Sequence, residues 1–196
     1  MFRFAATMLS VTNERKYVNM ADVNFKGGEA AGKRGKGNAI AAPLSASDQP
    51  EIPFIELLFF AYRDFISDPD AALLSYGFGR AHHRVIHFVN RHPGIRVADL
   101  LDILKITKQS LGRVLKQLVD SGFIEQKPGP LDRRQRLLYT TESGRALALR
   151  LIALQARRLG DALATLSPEE REGAEKFLRR IVDSGERNKV AHLIER

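Results

Sequence analysis

The chain has 196 residues, 44% of them apolar and 28% charged. That suits one full globular domain, or one domain plus arms, able to bury a real core. Thirty-one Lys and Arg against 23 Asp and Glu leave a net charge of +8, which points to an acidic partner, and the lack of cysteine excludes disulfides, thiolate metal sites and cysteine nucleophiles.

Residues 1–50 read as an N-terminal arm. KGGEAAGKRGKGN and AAPLSASDQP are rich in Gly, Ala, Ser, Lys and Pro, so the segment buries too little apolar surface to offset its ordering entropy. The first residues lack the apolar run and cleavage site of a signal peptide, and Met8 and Met20 are alternative starts. No apolar run reaches the ~18 residues of a membrane span. A cytoplasmic protein that does not engage membranes is expected.

After Pro53, the positions Ile55, Leu58, Phe59, Tyr62, Phe65 and Ile66 predict an amphipathic helix, with Asp68-Pro69-Asp70 ending it. A second helix is expected over about 79–91, with Val85, Phe88 and Val89 inward, stopped by His92-Pro93-Gly94. A third covers about 97–104 and buries Leu100, Leu101 and Leu104. Thr107 is placed to cap a fourth helix, TKQSLGRVLKQLVDSG, whose buried face is Leu111, Val114, Leu115 and Leu118. Gly122 ends it. FIEQK and RLLYTT read as strands on either side of PGPLDRRQR. Thr141 or Ser143 caps a long fifth helix, and Ser167-Pro168 begins a sixth with the stripe Ala174, Phe177, Leu178, Ile181 and Val182.

The middle of the chain is therefore a helix-turn-helix followed by a two-stranded wing. In such motifs the second helix lies in the DNA major groove. Gln109, Arg113 and Lys116 project opposite the apolar face, while Thr107, Lys108 and Ser110 lie at the helix start, where backbone N–H groups suit phosphates. Arg can pair with guanine and Gln with adenine. Gly112 either admits a close backbone approach to DNA or is tolerated slack. Arg133, Arg134 and Arg136 crowd the hairpin tip, where guanidinium groups suit a narrow minor groove. Asp132 is expected to orient Arg134 or Arg136 through an ion pair. Residues 105–136 carry eight Lys or Arg and three Asp or Glu, a net of +5.

The run ITKQSLGRVLKQLVDSGFIEQKPGPLDRRQRLLYTTESGR resembles the core of the MarR family of bacterial winged-helix regulators. The resemblance rests on Gly122-Phe123-Ile124-Glu125, on Asp132-Arg133-Arg134 and on Thr141-Glu142-Ser143-Gly144, and covers about Pro53 to Ser184. Two departures are the arm before Pro53 and Thr140, where a leucine is usual. The resemblance implies a mainly α protein with a small β wing. It implies a homodimer joined through the first and last helices, where Phe59, Leu163, Phe177 and Ile181 would lie. A dimer predicts a pseudo-palindromic site on double-stranded DNA. The resemblance also implies a small aromatic or phenolic effector bound between the dimer helices and the DNA domain, bordered by Phe59, Arg63, His83 and His87.

The expected domains are an arm (1–50), the first dimerisation helix with the first helix of the DNA-binding domain (51–92), the helix-turn-helix and wing (93–141), and C-terminal dimerisation helices (142–196). His83 and His87 share a helix face but have no third ligand, so they read first as structural, and no metal or other cofactor is expected. The competing readings are an architectural DNA binder and a winged helix used for protein contacts. No nucleophile–base pair or phosphate loop supports an enzyme.

Overall fold

The computed structural model describes residues 49–195, apart from 131 and 133. The arm expected over residues 1–50 falls outside this range except for its last two residues. The order of elements is α1 (Ile52–Leu74), α2 (Arg80–Arg91), β1 (Ile95–Arg96), α3 (Val97–Leu104), α4 (Lys108–Asp120), β2 (Ile124–Pro128), β3 (Arg136–Thr140), α5 (Glu142–Ala164), α6 (Pro168–Ile181) and α7 (Arg187–Glu195). The fold is mainly α with a small β wing. No helix among the described residues is long and apolar enough to cross a membrane.

The first helix does not stop at Pro69. It runs on to Leu74 with Pro69 inside it. Proline removes one backbone donor and crowds the preceding turn. Burial offsets this: Ile66, Pro69 and Leu73 form one inward seam at i, i+3 and i+7. The flanking acids are used for tertiary ties rather than for a stop. Asp68 pairs with Arg158 of α5 at 3.1 Å, and Asp70 with Arg80 of α2 at 2.8 Å.

The core lies among α2, α3, α4, the sheet and the first half of α5. Leu73, Val85, Ile86, Val89, Leu100, Leu111, Leu118, Ile124, Leu138 and Leu151 are buried in it. Phe88 and Leu101, expected inside, sit half-buried at its edge. The sheet is antiparallel in the order β1-β3-β2, with Ile95 opposite Leu138 and Ile124 opposite Thr140. β1 has two residues, too few to show an alternating pattern.

One corner joins the wing to α5. Gly122, at φ +74°, takes the left-handed turn that ends α4. The Thr141 hydroxyl donates to the Gly122 carbonyl at 2.6 Å and accepts from the Gly144 N–H at 3.1 Å. Thr141, not Ser143, is therefore the cap of α5. A Cβ on Gly144 would fall 1.9 Å from the Phe123 carbonyl oxygen, so only glycine fits.

Outside the core, large apolar side chains face outward. Phe54, Leu57 and Phe59 on α1, Leu159 and Leu163 on α5, and Phe177, Leu178 and Ile181 on α6 are all exposed. The α1 and α6 surfaces touch through Phe54 and Phe177, whose ring centroids lie 5.8 Å apart. α6 starts with a reciprocal cap in which Ser167 Oγ accepts from the Glu170 N–H and Glu170 Oε2 accepts from the Ser167 N–H. It has no fully buried residue.

Candidate nucleic-acid interface

α4 is fixed from behind and open in front. Leu111, Val114, Leu115 and Leu118 bury its inner face. Two polar ties add to this. His82 Nε2 lies 2.7 Å from Gln117 Oε1, and the Gly79 N–H donates to His82 Nδ1 at 3.1 Å. Since Nδ1 accepts, Nε2 carries the proton and donates to Gln117. Arg84 Nη2 donates to the Leu104 carbonyl at 2.9 Å, satisfying the end of α3 beside the turn. Lys105 makes that turn at φ +51°, an unusual angle for a residue with a side chain.

The start of α4 is built as its sequence suggests. Thr107 Oγ1 accepts from the Ser110 N–H at 3.1 Å and donates to Ser110 Oγ at 2.9 Å. Lys108, Gln109 and Ser110 are exposed at the helix start. Arg113 and Lys116 follow on the same outer face, both exposed. Lys116 Nζ bonds Asp120 Oδ2 at 2.6 Å, so its charge is partly spent one turn along. Lys108 and Arg113 have no acidic partner among the described residues. A Cβ on Gly112 would meet nothing within 4 Å among the described residues. Packing inside the protein does not require that glycine.

The wing, β2 and β3 with the turn between them, follows α4 in the chain. Arg134 and Arg136 are exposed and unpaired among the described residues, and Arg133 lies outside them. The expected ion pair from Asp132 to Arg134 or Arg136 is not what forms. Asp132 Oδ1 accepts from the Arg134 backbone N–H at 2.9 Å, and the Asp132 carbonyl accepts from the Gln135 N–H at 3.0 Å. A short carboxylate reaches its own turn more readily than a guanidinium directed into water. Asp132 thus shapes the tip and leaves the arginines outward. At the wing's base Lys127 pairs with Glu125 at 2.7 Å and lies over the Tyr139 ring. Glu125 holds the Lys127 pKa above its ordinary value.

The four residues expected around an effector fall in two pairs, each one helical turn apart, Phe59 and Arg63 on α1 and His83 and His87 on α2. Phe59 is exposed, and Arg63 pairs with Asp64 at 2.7 Å and lies 5.0 Å from the Phe60 ring centre. His83 is buried, with Gln155 as hydrogen-bond partner and Asp70 as the nearby charge. Burial pushes its pKa down. Burial also pushes His87 down, reinforced by the positive fields of His83, Arg91 and His92. Of the four, only His87 borders the cavity of about 460 Å³ between α2, α3 and α7; Phe59, Arg63 and His83 do not line it. Among the described residues no three metal-ligating side chains cluster.

Sequence reading missed the His82–Gln117 tie, because residues 35 apart show no local pattern. It also missed α7, for which a signal existed: Val190, Leu193 and Ile194 repeat at helical spacing after Ser184-Gly185.

The comparisons agree with this geometry. A family model described as MarR family matches residues 76–135, from before α2 to the wing tip. The HTH-type transcriptional regulator PetP of Rhodobacter capsulatus is 40% identical over 164 residues, which cover 84% of this chain and 92% of PetP. Among solved structures, Streptococcus pneumoniae FabT in complex with DNA matches with a TM-score of 0.60 and 18% identity, over 66% of this chain and 92% of FabT. A mutant MarR from E. coli complexed with operator DNA matches with a TM-score of 0.55 and 22% identity, over 72% of this chain and all of that one. The structural likenesses establish the fold, and the extent and identity of the PetP match add the ancestry. The chain belongs to the MarR family of winged helix-turn-helix transcriptional regulators, which are not enzymes.

Proposed function

We propose that the protein acts in the cytoplasm as a homodimer on a pseudo-palindromic DNA site, with α4 in the major groove and the wing at the adjacent minor groove. One observation carries this reading. The outer face of α4 offers Gln109 and Arg113, beside a wing whose described arginines are held outward by the Asp132 turn. Arg113 is the stronger candidate for base contact, because Lys116 already has Asp120. Lys108, Thr107 and Ser110 suit phosphates at the helix start. FabT and the mutant MarR were each solved with DNA, which favours the same use of the fold here.

The dimer is supported by the outward apolar faces of α1, α5 and α6, which a lone chain would leave in water. Phe59, Leu163, Phe177 and Ile181 belong to that surface. A small aromatic or phenolic effector near Phe59, Arg63, His83 and His87 follows from the family resemblance. It would act by binding the DNA-competent and incompetent arrangements unequally.

The test is selection of bound sites from a random duplex library at two salt concentrations. One enriched inverted repeat is expected. Arg113→Ala should relax preference at one base position in each half-site, by about 1–3 kcal/mol. Arg134→Ala should weaken all sequences alike and reduce the salt slope by about one. Tight, steeply salt-dependent binding with no enriched motif would replace this reading with an architectural one.

A further inference from the structure

α7 reaches back from the C-terminal end of the chain to the helix-turn-helix. Apolar packing does not seat it firmly: none of its residues is fully buried, and the cavity of about 460 Å³ separates it from Phe88 and Ile103. Charge ties it down instead. Asp102 on α3 bonds Lys105 Nζ at 2.7 Å and also bonds Lys189 of α7. Glu186, immediately before α7, bonds Lys105 Nζ at 3.1 Å and lies 3.7 Å from Lys189 Nζ. Each of the four charges therefore has two neighbours of opposite sign. At the far end of α7, Arg91 of α2 donates to the Ile194 carbonyl at 3.2 Å. The hydrogen bonds from Lys105 and then Lys189 pull the Asp102 pKa down to about 2, so Asp102 is charged at neutral pH.

Single exposed ion pairs hold weakly, because water screens them and ordering two long side chains costs entropy; a closed network holds better. This one sits where it has leverage. Lys105 is both a member of the cluster and the residue that turns α3 into α4. We propose that Lys189 and Glu186 are positioning residues for DNA reading, bracing α3, and through it α4, from the C-terminal end of the chain. The inference rests on the α4–wing interface proposed above. It makes α7 a brace that added salt loosens, so salt would weaken DNA binding by a route separate from phosphate screening.

The experiment uses the full chain. Asp102→Lys breaks the α3–α7 bridge while raising the net charge by two. The double variant Asp102→Lys with Lys189→Glu restores opposite charges across the junction, two cations on the α3 side facing two carboxylates on the α7 side, at the original net charge. Because the chain has no cysteine, Ala98→Cys on α3 and Asn188→Cys on α7, both exposed, accept a pair of spin labels. With labelled chain diluted into an excess of unlabelled chain, so that only distances within one copy are read, we expect a single narrow distribution in the parent, a broad one in Asp102→Lys, and recovery in the double variant. Affinity for the selected duplex should fall roughly three- to tenfold in Asp102→Lys, against the electrostatic trend, and recover in the double variant. An unchanged distribution in Asp102→Lys would overturn the brace. Equal or tighter DNA binding in that variant would overturn its positioning role. A parent that binds no duplex but keeps the narrow distance would instead remove the reading of α4 as a DNA-contacting helix.

Discussion

At the scale of single residues, the motif positions were legible and their partners were not. Thr107, Gly122, Thr141 and Ser167 act as the sequence suggests, because caps and left-handed glycines are decided within a few residues. Asp132 shows the limit. Its place at the tip could be read, but whether a carboxylate takes a guanidinium or its own backbone depends on the turn that forms. His83 is a second case: its helix face was visible, its burial against Gln155 was not. That burial has a consequence for stability. The folded pKa of His83 is lowered, so the unfolded chain binds a proton more readily there. Stability is unaffected above the unfolded value near 6.5. It should decline as pH falls from there to the folded pKa. His83→Gln should flatten this part of a pH series of denaturant unfolding, with His87 contributing the remainder. A slope identical in parent and variant would show that His83 charges without cost.

At the scale of elements, long amphipathic helices were legible and short or compensated ones were not. α4 and α5 carry dense apolar faces and caps that agree with one another. β1 is too short to announce itself, and it forms because β3 offers Leu137 and Leu138 as pairing partners. α1 misled because proline and two aspartates look like a stop. Tertiary pairing with Arg158 and Arg80 turns them into attachments. The α4 N-cap is the element-scale test. Thr107→Ala removes the acceptor of the Ser110 N–H and should cost about 1 kcal/mol in chemical unfolding. Retention of full stability would mean that water replaces the hydroxyl without loss.

At the scale of the whole molecule, the sequence showed two apolar surfaces where one chain has use for only one core. The buried set centres on α2, α3, α4 and the sheet, while α6 contributes nothing fully buried. If the second surface joins two copies, Ile181→Glu places a charge where an apolar contact should form. Sedimentation should then show dimer dissociation at a protein concentration at least ~10-fold higher than for the parent. Unchanged sedimentation would place the interface elsewhere. The corner of Gly122, Thr141 and Gly144 matters at this scale too. With glycine touching carbonyl there, the wing and α5 have no slack between them. They behave as one bent lever with its fulcrum at Thr141. α5 has 23 residues, roughly 35 Å of arm. A tilt of about 5° over such an arm moves its tip by roughly 3 Å, comparable to the rise of one base pair. The wing is the shorter arm, roughly 17 Å for the five residues of β3, so the same tilt moves its tip by about 1.5 Å, and a shift at the far end of α5 reaches the wing arginines at about half its size.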